Sequence, residues 1–322
     1  SATPEESPLR VPVGEMVEGI SCLADPSQTY TLYLPPGFDK QRQWPVLLIF
    51  DPRGRSVLAA ELFHEAADLY GWILVSSNDT RSDGPMEPNI VALNALWPEV
   101  LSRLPSDPER IYAAGFSGGG AVAYVLSRST QEVAGIVACG ARNLPDDLKK
   151  VNAPVFSTAG VTDFNYLDMH QVDSFLAKQG NPHRLAFFEG GHTWMPPSVA
   201  REAVEWLELI AMQRDLRETD SELVELLYAE AVASAEKLVS GGSELEAARR
   251  YREIERTYKG LRDTSAARRA AEGIEESQEY RAQKKEFKRA QELEARCLER
   301  ANNQIPILRT PEIPPPVSTL AR

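Results

Sequence analysis

The sequence predicts an α/β fold with a mostly parallel sheet flanked by helices, followed by a small all-α domain. Short apolar runs alternate with helical patterns from Met16 to about residue 210, as in chains that form parallel sheets. Residues 45–50 (PVLLIF) are apolar throughout, which is typical of a strand buried on both faces of a sheet. Residues 221–302 contain no proline and interleave charged residues with Leu, Ala and Tyr, which predicts helices.

Composition limits the classes of function that fit this chain. Its 322 residues leave room for one large domain and a smaller one, and 43% hydrophobic with 25% charged residues is ordinary for a globular protein. No run of about 18 apolar residues occurs, so no membrane span is predicted. The net charge is −12 and falls mostly in residues 1–213, and an acidic domain repels polyanions. Nucleic acid is therefore excluded as a partner, and a neutral or apolar substrate is favoured.

Three regions follow from these patterns: an α/β domain over 1–213, a helical domain over 214–302 and a proline-rich tail over 303–322. In the first region the predicted strands are 29–34, 45–50, 72–76, 111–114, 135–138, 155–158 and 185–188. The helices predicted between and after them are 57–70, 89–103, 118–128, 168–179 and 198–212. In the second region the three- and four-residue recurrence of apolar residues predicts helices 221–239, 243–259 and 264–300.

The cysteines and the N-terminus bear on the cellular compartment. Cys22, Cys139 and Cys297 are scattered, which gives neither a disulfide framework nor a metal-binding pattern. Buried free thiols are favoured over a Cys22–Cys139 pair. The chain opens on a polar stretch without an initiator Met, which is typical of a trimmed N-terminus. Export to the periplasm or beyond is favoured over a cytoplasmic protein with a cloning boundary.

The pentapeptide Gly115-Phe116-Ser117-Gly118-Gly119 fits the pattern G-x-S-x-G. An apolar strand (IYAA) ends directly before it, and an Ala-rich helix begins directly after it. Such a strand–turn–helix context presents a serine as a nucleophile, because small neighbours let the strand and the helix crowd together. The helix N-terminus also favours developing negative charge. Ser117 is the candidate nucleophile, and an incidental serine in a Gly-rich turn is the alternative.

A nucleophilic serine needs a base and an acid that orients the base. His192 follows the last predicted strand across a short Glu-Gly-Gly loop, which is where the base belongs in the chain order Ser, acid, His. Asp163 follows the preceding strand and is the candidate acid, with Asp168 as the second choice. A solvated loop histidine at 192 and a helix cap at 163 are the alternatives.

The negative oxygen that forms in acyl transfer needs two backbone N–H donors. Gly118, the residue after the nucleophile, is predicted to supply one. The loop 51–55 (DPRGR) follows strand 45–50, and its proline has no N–H, so Arg53 is predicted to supply the other, with Gly54 second. The two arginines of this loop are either substrate contacts or anchors for Asp51.

These motifs resemble those of a known superfamily. Residues 28–210, with the segments YTLYLPPGF, WPVLLIFDPRG, DPERIYAAGFSGGGAVAY, AGVTDFN and FFEGGHTW, resemble the α/β hydrolases. Within that superfamily the likeness is to feruloyl-esterase and polyhydroxyalkanoate-depolymerase-like serine esterases. The resemblance implies the α/β-hydrolase fold and gives catalytic roles to Ser117, Asp163 and His192, with Arg53 and Gly118 as oxyanion donors.

The chain departs from that family in two places. The family usually carries His-Gly where this chain has Asp51-Pro52, and its Ser-Asn-Gly is Ser-Gly-Gly here. Neither departure removes a catalytic group, and both bear on which substrate the site accepts. The short stretch between the nucleophile and the acid leaves no room for a cap domain. An open site is therefore expected, with Arg55, Tyr166 and Trp194 among its substrate contacts.

The helical region resembles a tetratricopeptide-like repeat over residues 247–271, where small and aromatic residues have the spacing by which such repeats interlock. One repeat buries its own core poorly, so a neighbour is expected to cover it. That neighbour is the α/β domain, a second copy or another protein, and a purely stabilising appendage is the alternative.

The site residues and the resemblance together predict a serine hydrolase. A carboxylic ester hydrolase that forms an acyl-enzyme, with no metal or other cofactor, is the leading interpretation. A serine peptidase on the same fold and a non-catalytic scaffold with a partner-binding helical domain are the alternatives.

Overall fold

The structure is a computed structural model that describes residues 11–142 and 150–304. Within these residues the strands are β1 Met16–Ser21, β2 Thr29–Tyr33, β3 Trp44–Phe50, β4 Ile73–Ser77, β5 Ser106–Phe116, β6 Val133–Cys139, β7 Val155–Gly160 and β8 His183–Phe188. They form one sheet in the order β1-β2-β4-β3-β5-β6-β7-β8. The strand β2 runs antiparallel to both β1 and β4, and the remaining neighbours are parallel.

Helices connect and flank these strands. They are α1 Ser56–Glu61, α2 His64–Tyr70, α3 Glu87–Pro98 with a π-helical turn Glu99–Arg103, α4 Gly118–Ser129, α5 Tyr166–Gln179, α6 Pro197–Gln213, α7 Ser221–Ser240, α8 Glu244–Thr257, α9 Ser265–Glu275 and α10 Gln278–Gln304. The strand order, with its antiparallel β2 and a strand–serine–helix turn after β5, is that of the α/β-hydrolase fold. The predicted fold class is confirmed.

The register of the sheet brings the chemically interesting loops to one edge. Phe50 at the end of β3 pairs with Gly115, and Phe116 at the end of β5 pairs with Cys139. Gly160 at the end of β7 pairs with Phe188. Because these strands are parallel, the loops after β3, β5, β6, β7 and β8 leave the sheet on the same side, where ligands bind in open α/β sheets.

The described chain divides into two compact units, one up to Glu208 and one from Leu209 onward. In the first unit, the buried ring of Trp72 stacks on Tyr112 with centroids 4.4 Å apart and donates its indole N–H to Glu208 at 2.6 Å. The second unit has a core of its own. Its buried members are Leu209, Met212, Val224, Leu227, Ala231, Ala235, Tyr251, Ile254, Tyr258, Ala267 and Ala271. The tetratricopeptide-like interpretation stays a prediction, as does the partner role.

Several predicted helices are divided in the structure. The expected helix 57–70 is two helices, α1 and α2, with the fully buried Phe63 in the turn between them. The expected helix 264–300 is α9 followed by α10, because the Ser277 hydroxyl accepts the Tyr280 N–H at 3.1 Å and starts a new helix. The edge strand β1 was not predicted, since its side chains are mostly half-buried or exposed and carry no strong alternation.

The three cysteine thiols differ in their exposure to solvent. Cys22 and Cys139 are buried free thiols, and Cys297 is exposed on α10. Burial raises the pKa of the Cys22 thiol to about 12, with the nearby Glu99 adding to the shift, and burial likewise raises the pKa of Cys139. No helix within residues 11–142 and 150–304 is long and apolar enough to cross a membrane. The proline-rich tail 303–322 falls almost entirely outside the described residues.

Candidate active site

Ser117 sits at a sharp turn between β5 and α4. Its φ of 51° and ψ of −119° place it in a backbone region that residues other than glycine rarely adopt, so the turn holds strain. The turn exists only because its neighbours are small. A Cβ on Gly119 would lie 1.9 Å from the carbonyl oxygen of Phe50, and one on Gly115 would lie 2.1 Å from the carbonyl oxygen of Gly119. The glycines therefore allow α4 to start directly against β3 and β5.

The structure brings Ser117, His192 and Asp163 together. The Oγ of Ser117 lies 3.0 Å from Nε2 of His192, and Nδ1 of His192 lies 3.0 Å from both carboxylate oxygens of Asp163. Gly140, with a φ of +54°, makes this convergence possible, because a Cβ there would lie 3.0 Å from Asp163 Oδ2 and 3.2 Å from His192. Serine, imidazole and carboxylate thus form one hydrogen-bonded chain in the order that proton transfer requires.

Asp163 is held in place from its own loop. Its side chain is buried, and its Oδ1 accepts the backbone N–H of Asn165 at 2.8 Å. The amide of Asn165 in turn donates to the carbonyl of Gly140 at 2.8 Å. The second choice for the acid, Asp168, lies elsewhere and pairs with Arg142 at 3.2 Å. Asp163 is therefore the carboxylate that contacts the imidazole.

The loop after β3 differs from the sequence prediction. The backbone N–H of Arg53 donates to Oδ1 of the buried Asp51 at 2.8 Å, and the N–H of Arg55 donates to the same oxygen at 3.2 Å. The N–H of Gly54 donates to the Asp51 carbonyl at 3.1 Å. Asp51 therefore accepts the N–H groups of both residues predicted as the oxyanion donor, Arg53 and, as second choice, Gly54. Gly118 is the first residue of α4, so its N–H has no partner within the helix.

Two side chains also donate hydrogen bonds to the Asp51 carboxylate. Nε and Nη2 of Arg55 lie 3.0 and 2.8 Å from its two carboxylate oxygens, and the indole N–H of Trp194 donates to Oδ2 at 2.7 Å. Burial raises the pKa of the Asp51 carboxyl, but the hydrogen bonds from Arg55, Trp194 and the backbone outweigh it and hold this pKa below its usual value. Asp51 is a charged anchor that joins the β3 loop to the loop carrying His192.

The predicted substrate contacts are placed differently from expectation. Arg55 is bound to Asp51, which is the anchor role that the sequence left open. Trp194 is 6% exposed and turned toward Asp51, so it does not form the rim of the site. The ring of Tyr166 packs against His170 and Phe187, with centroids 5.1 and 4.5 Å away.

A cleft of about 230 Å³ opens beside Ser117. Its described lining consists of Ser117, Gly118, Gly140, Ala141, Arg142, Phe164 and Asn165. Phe164 is 69% exposed and its ring lies 4.3 Å from that of His192, while Phe116 contacts the same imidazole at 4.7 Å. Sequence reasoning missed Phe164 and Arg142. The one available signal was position, because Phe164 directly follows the acid.

The known structures that resemble this chain share little of its sequence. No family model and no curated protein matches the sequence. A hyperthermophilic esterase of the archaeon Pyrobaculum calidifontis is 16% identical, over 64% of this chain and 87% of that chain, with a TM-score of 0.48. An S-formylglutathione hydrolase of Staphylococcus aureus is 15% identical, over 62% and 99%, with a TM-score of 0.46. A ferulic acid esterase is 18% identical over 61% of this chain and 98% of its own, with a TM-score of 0.46. These low values transfer no activity to this chain.

The fold and the site together define a class: an α/β-hydrolase-fold protein whose serine, histidine and carboxylate are already in hydrogen-bond contact. What such a protein does with them has to be argued from the chemistry of the site, since function does not follow from the fold.

Proposed function

We propose that this chain is a serine hydrolase that cleaves carboxylic esters through an acyl-enzyme. The observation that carries the proposal is the hydrogen-bonded chain from Ser117 through His192 to Asp163, with a contact of 3.0 Å at each link. A non-catalytic scaffold gains nothing from a strained Ser117 backbone or from a buried carboxylate under the imidazole. Strain of this kind is typical of catalytic sites.

The reaction follows from these contacts. The Oγ of Ser117 bonds to the ester carbonyl carbon while its proton passes to Nε2 of His192, and the carbonyl π electrons move to oxygen. When that oxygen's electrons return, the alkoxide leaves and takes the proton from His192. Water then attacks the acyl-enzyme in the same way and releases the acid. Asp163 fixes the imidazole tautomer and stabilises the imidazolium at both stages.

The cleft sets the size of the group that fits. The described part of the cleft, about 230 Å³, has room for a short acyl or alcohol group beside Ser117. The exposed Phe164 supplies an apolar wall and Arg142 a cation, so a substrate group with an apolar face suits the Phe164 side of the cleft.

Covalent labelling tests the nucleophile. A fluorophosphonate probe is expected to label the wild-type chain, and Ser117→Ala is expected to remove all labelling because, among the described hydroxyls, that of Ser117 is the one in hydrogen-bond contact with His192. Ser102→Ala, which changes an exposed hydroxyl bonded to the Pro98 carbonyl, is the matched control and should label like wild type. Labelling that persists in Ser117→Ala, or a wild type that does not label, would overturn the proposal.

A substrate panel separates the ester hydrolase from the peptidase. p-Nitrophenyl esters from acetate to laurate and aminoacyl p-nitroanilides are compared by kcat/KM. Hydrolysis of the acetate or butyrate ester is expected to exceed that of every anilide, because the described cleft has room for a short acyl group beside Ser117. Faster cleavage of an anilide would favour the peptidase.

A further inference from the structure

The oxyanion site is the part of the proposed mechanism that the β3 loop leaves incomplete. Acyl transfer needs donors aimed at the developing negative oxygen, and one missing donor costs about 10²–10³ in kcat. Gly118 is placed to give one. Within the loop 51–55, Pro52 has no N–H, and the N–H groups of the three residues after it are all donated to Asp51. A second donor therefore has to come from another segment.

The loop after β4 comes to this corner of the site. The Thr80 hydroxyl donates to the Asp51 carbonyl at 2.9 Å, and the backbone N–H of Ser82 donates to the Pro52 carbonyl at 2.9 Å. Two hydrogen bonds thus fasten this loop across the β3 loop. Asp83 follows with a φ of 63°, which turns the chain away directly after Ser82.

The side chain of Ser82 lies directly over Gly118. A Cβ on Gly118 would lie 2.4 Å from the Cβ of Ser82 and 3.6 Å from its hydroxyl oxygen. The absence of a side chain at 118 is therefore what lets Ser82 approach the residue after the nucleophile. No hydrogen bond within the described residues involves the Ser82 hydroxyl, and the residue is partly accessible to solvent. A hydroxyl in this position is able to donate to a newly arrived oxygen.

We propose that the Ser82 hydroxyl, together with the Gly118 N–H, binds the carbonyl oxygen of the ester while Ser117 attacks. The hydroxyl takes the place that the β3 loop would fill if Asp51 did not occupy its N–H groups. The inference rests on the proposed function, since the oxygen it binds exists only if the chain performs acyl transfer. It explains why Ser-Gly-Gly follows Phe116: any larger residue at 118 would displace Ser82.

Kinetics of p-nitrophenyl acetate hydrolysis by the full chain test this assignment. Ser82→Ala is expected to lower kcat by about 10²-fold with KM little changed, because the lost contact forms in the transition state. Ser82→Thr keeps a hydroxyl and should retain most of the activity. Labelling by a fluorophosphonate should slow in parallel in Ser82→Ala, since the phosphoryl oxygen occupies the same position. The exposed Ser102→Ala serves as the hydroxyl control and should match wild type.

The possible failures are distinguishable. A wild type that neither hydrolyses the ester nor labels at Ser117 would overturn the proposed function, and this inference with it. An active wild type together with Ser82→Ala of unchanged kcat would overturn the inference alone, and would indicate that Arg53 releases Asp51 when substrate binds. Equal losses in Ser82→Ala and Ser82→Thr, accompanied by a lowered Tm, would show a packing role and would also overturn it.

Discussion

Replacing His192 with alanine is expected to lower kcat for ester hydrolysis by about 10⁴-fold or more, because the Ser117 hydroxyl then has no base. The imidazole links the serine to the buried Asp163, with contacts of 3.0 Å on either side. Its removal leaves only oxyanion binding and proximity to accelerate the reaction. Initial rates with p-nitrophenyl acetate and the far-ultraviolet circular dichroism of the variant measure activity and fold separately.

His64→Ala is the matched control for this experiment. His64 lies on α2, where it contacts the Tyr33 hydroxyl and the acidic side chains of Glu61 and Asp68, and it takes no part in the site. Its replacement should leave kcat unchanged. A His192→Ala variant that folds and retains activity within tenfold of wild type would show that His192 is not the base.

Replacing Asp51 with asparagine is expected to lower the free energy of unfolding by about 2–3 kcal/mol at neutral pH. At the Oδ2 position the asparagine amide nitrogen would face both Arg55 Nη2 and the Trp194 indole N–H. At the Oδ1 position it would face the backbone N–H groups of Arg53 and Arg55 and the Nε of Arg55, so in either orientation a buried donor loses its acceptor. The Arg55 side chain is 41% exposed, so solvent screens the ion pair and most of the loss comes from the buried hydrogen bonds. Urea unfolding followed by tryptophan fluorescence measures it.

The pH dependence of this variant has a definite sign. The pKa of Asp51 in the folded chain is below its unfolded value, so its contribution is complete above about pH 4 and is lost as the pH falls through the folded-state pKa. The difference in stability between wild type and Asp51→Asn should therefore narrow below about pH 4. Asp25→Asn is the control, because Asp25 also accepts an N–H two residues on, in an exposed turn. If the difference in stability between wild type and Asp51→Asn stays constant with pH, the Asp51 carboxylate does not stabilise the fold through its charge.

The parts of this molecule that sequence reasoning captured are those written in consecutive residues. The nucleophile is predicted by consecutive residues: an apolar strand, a Gly-x-Ser-x-Gly turn and an Ala-rich helix. The structure has β5, Ser117 and α4 in that arrangement. The acid and the base followed from chain order, since each comes directly after a recognisable strand. Their convergence on Ser117 depends on parallel strands ending at one edge, which the alternation of elements predicts.

The contacts that sequence reasoning missed join distant segments or depend on side-chain direction. Asp51 and Trp194 are bonded across 143 positions, and neither residue type signals the other. The backbone N–H of Arg53 is occupied because the Asp51 carboxylate accepts it within the same loop. Trp194 is predicted as a substrate contact, yet its indole is buried and bonded to Asp51, a partner that only the folded chain brings near.

The burial of two of the three thiols allows a thiol-reactive dye to be attached at the third, Cys297. Maleimides and iodoacetamides react with thiolates, which Cys22 and Cys139 rarely form because burial raises their pKa. Cys297 is exposed on α10, in the helical unit. All five tryptophans lie before residue 209, in the sheet unit. A dye on the unaltered chain therefore marks one unit while indole fluorescence reports the other, so energy transfer between them gives a distance without any engineered residue.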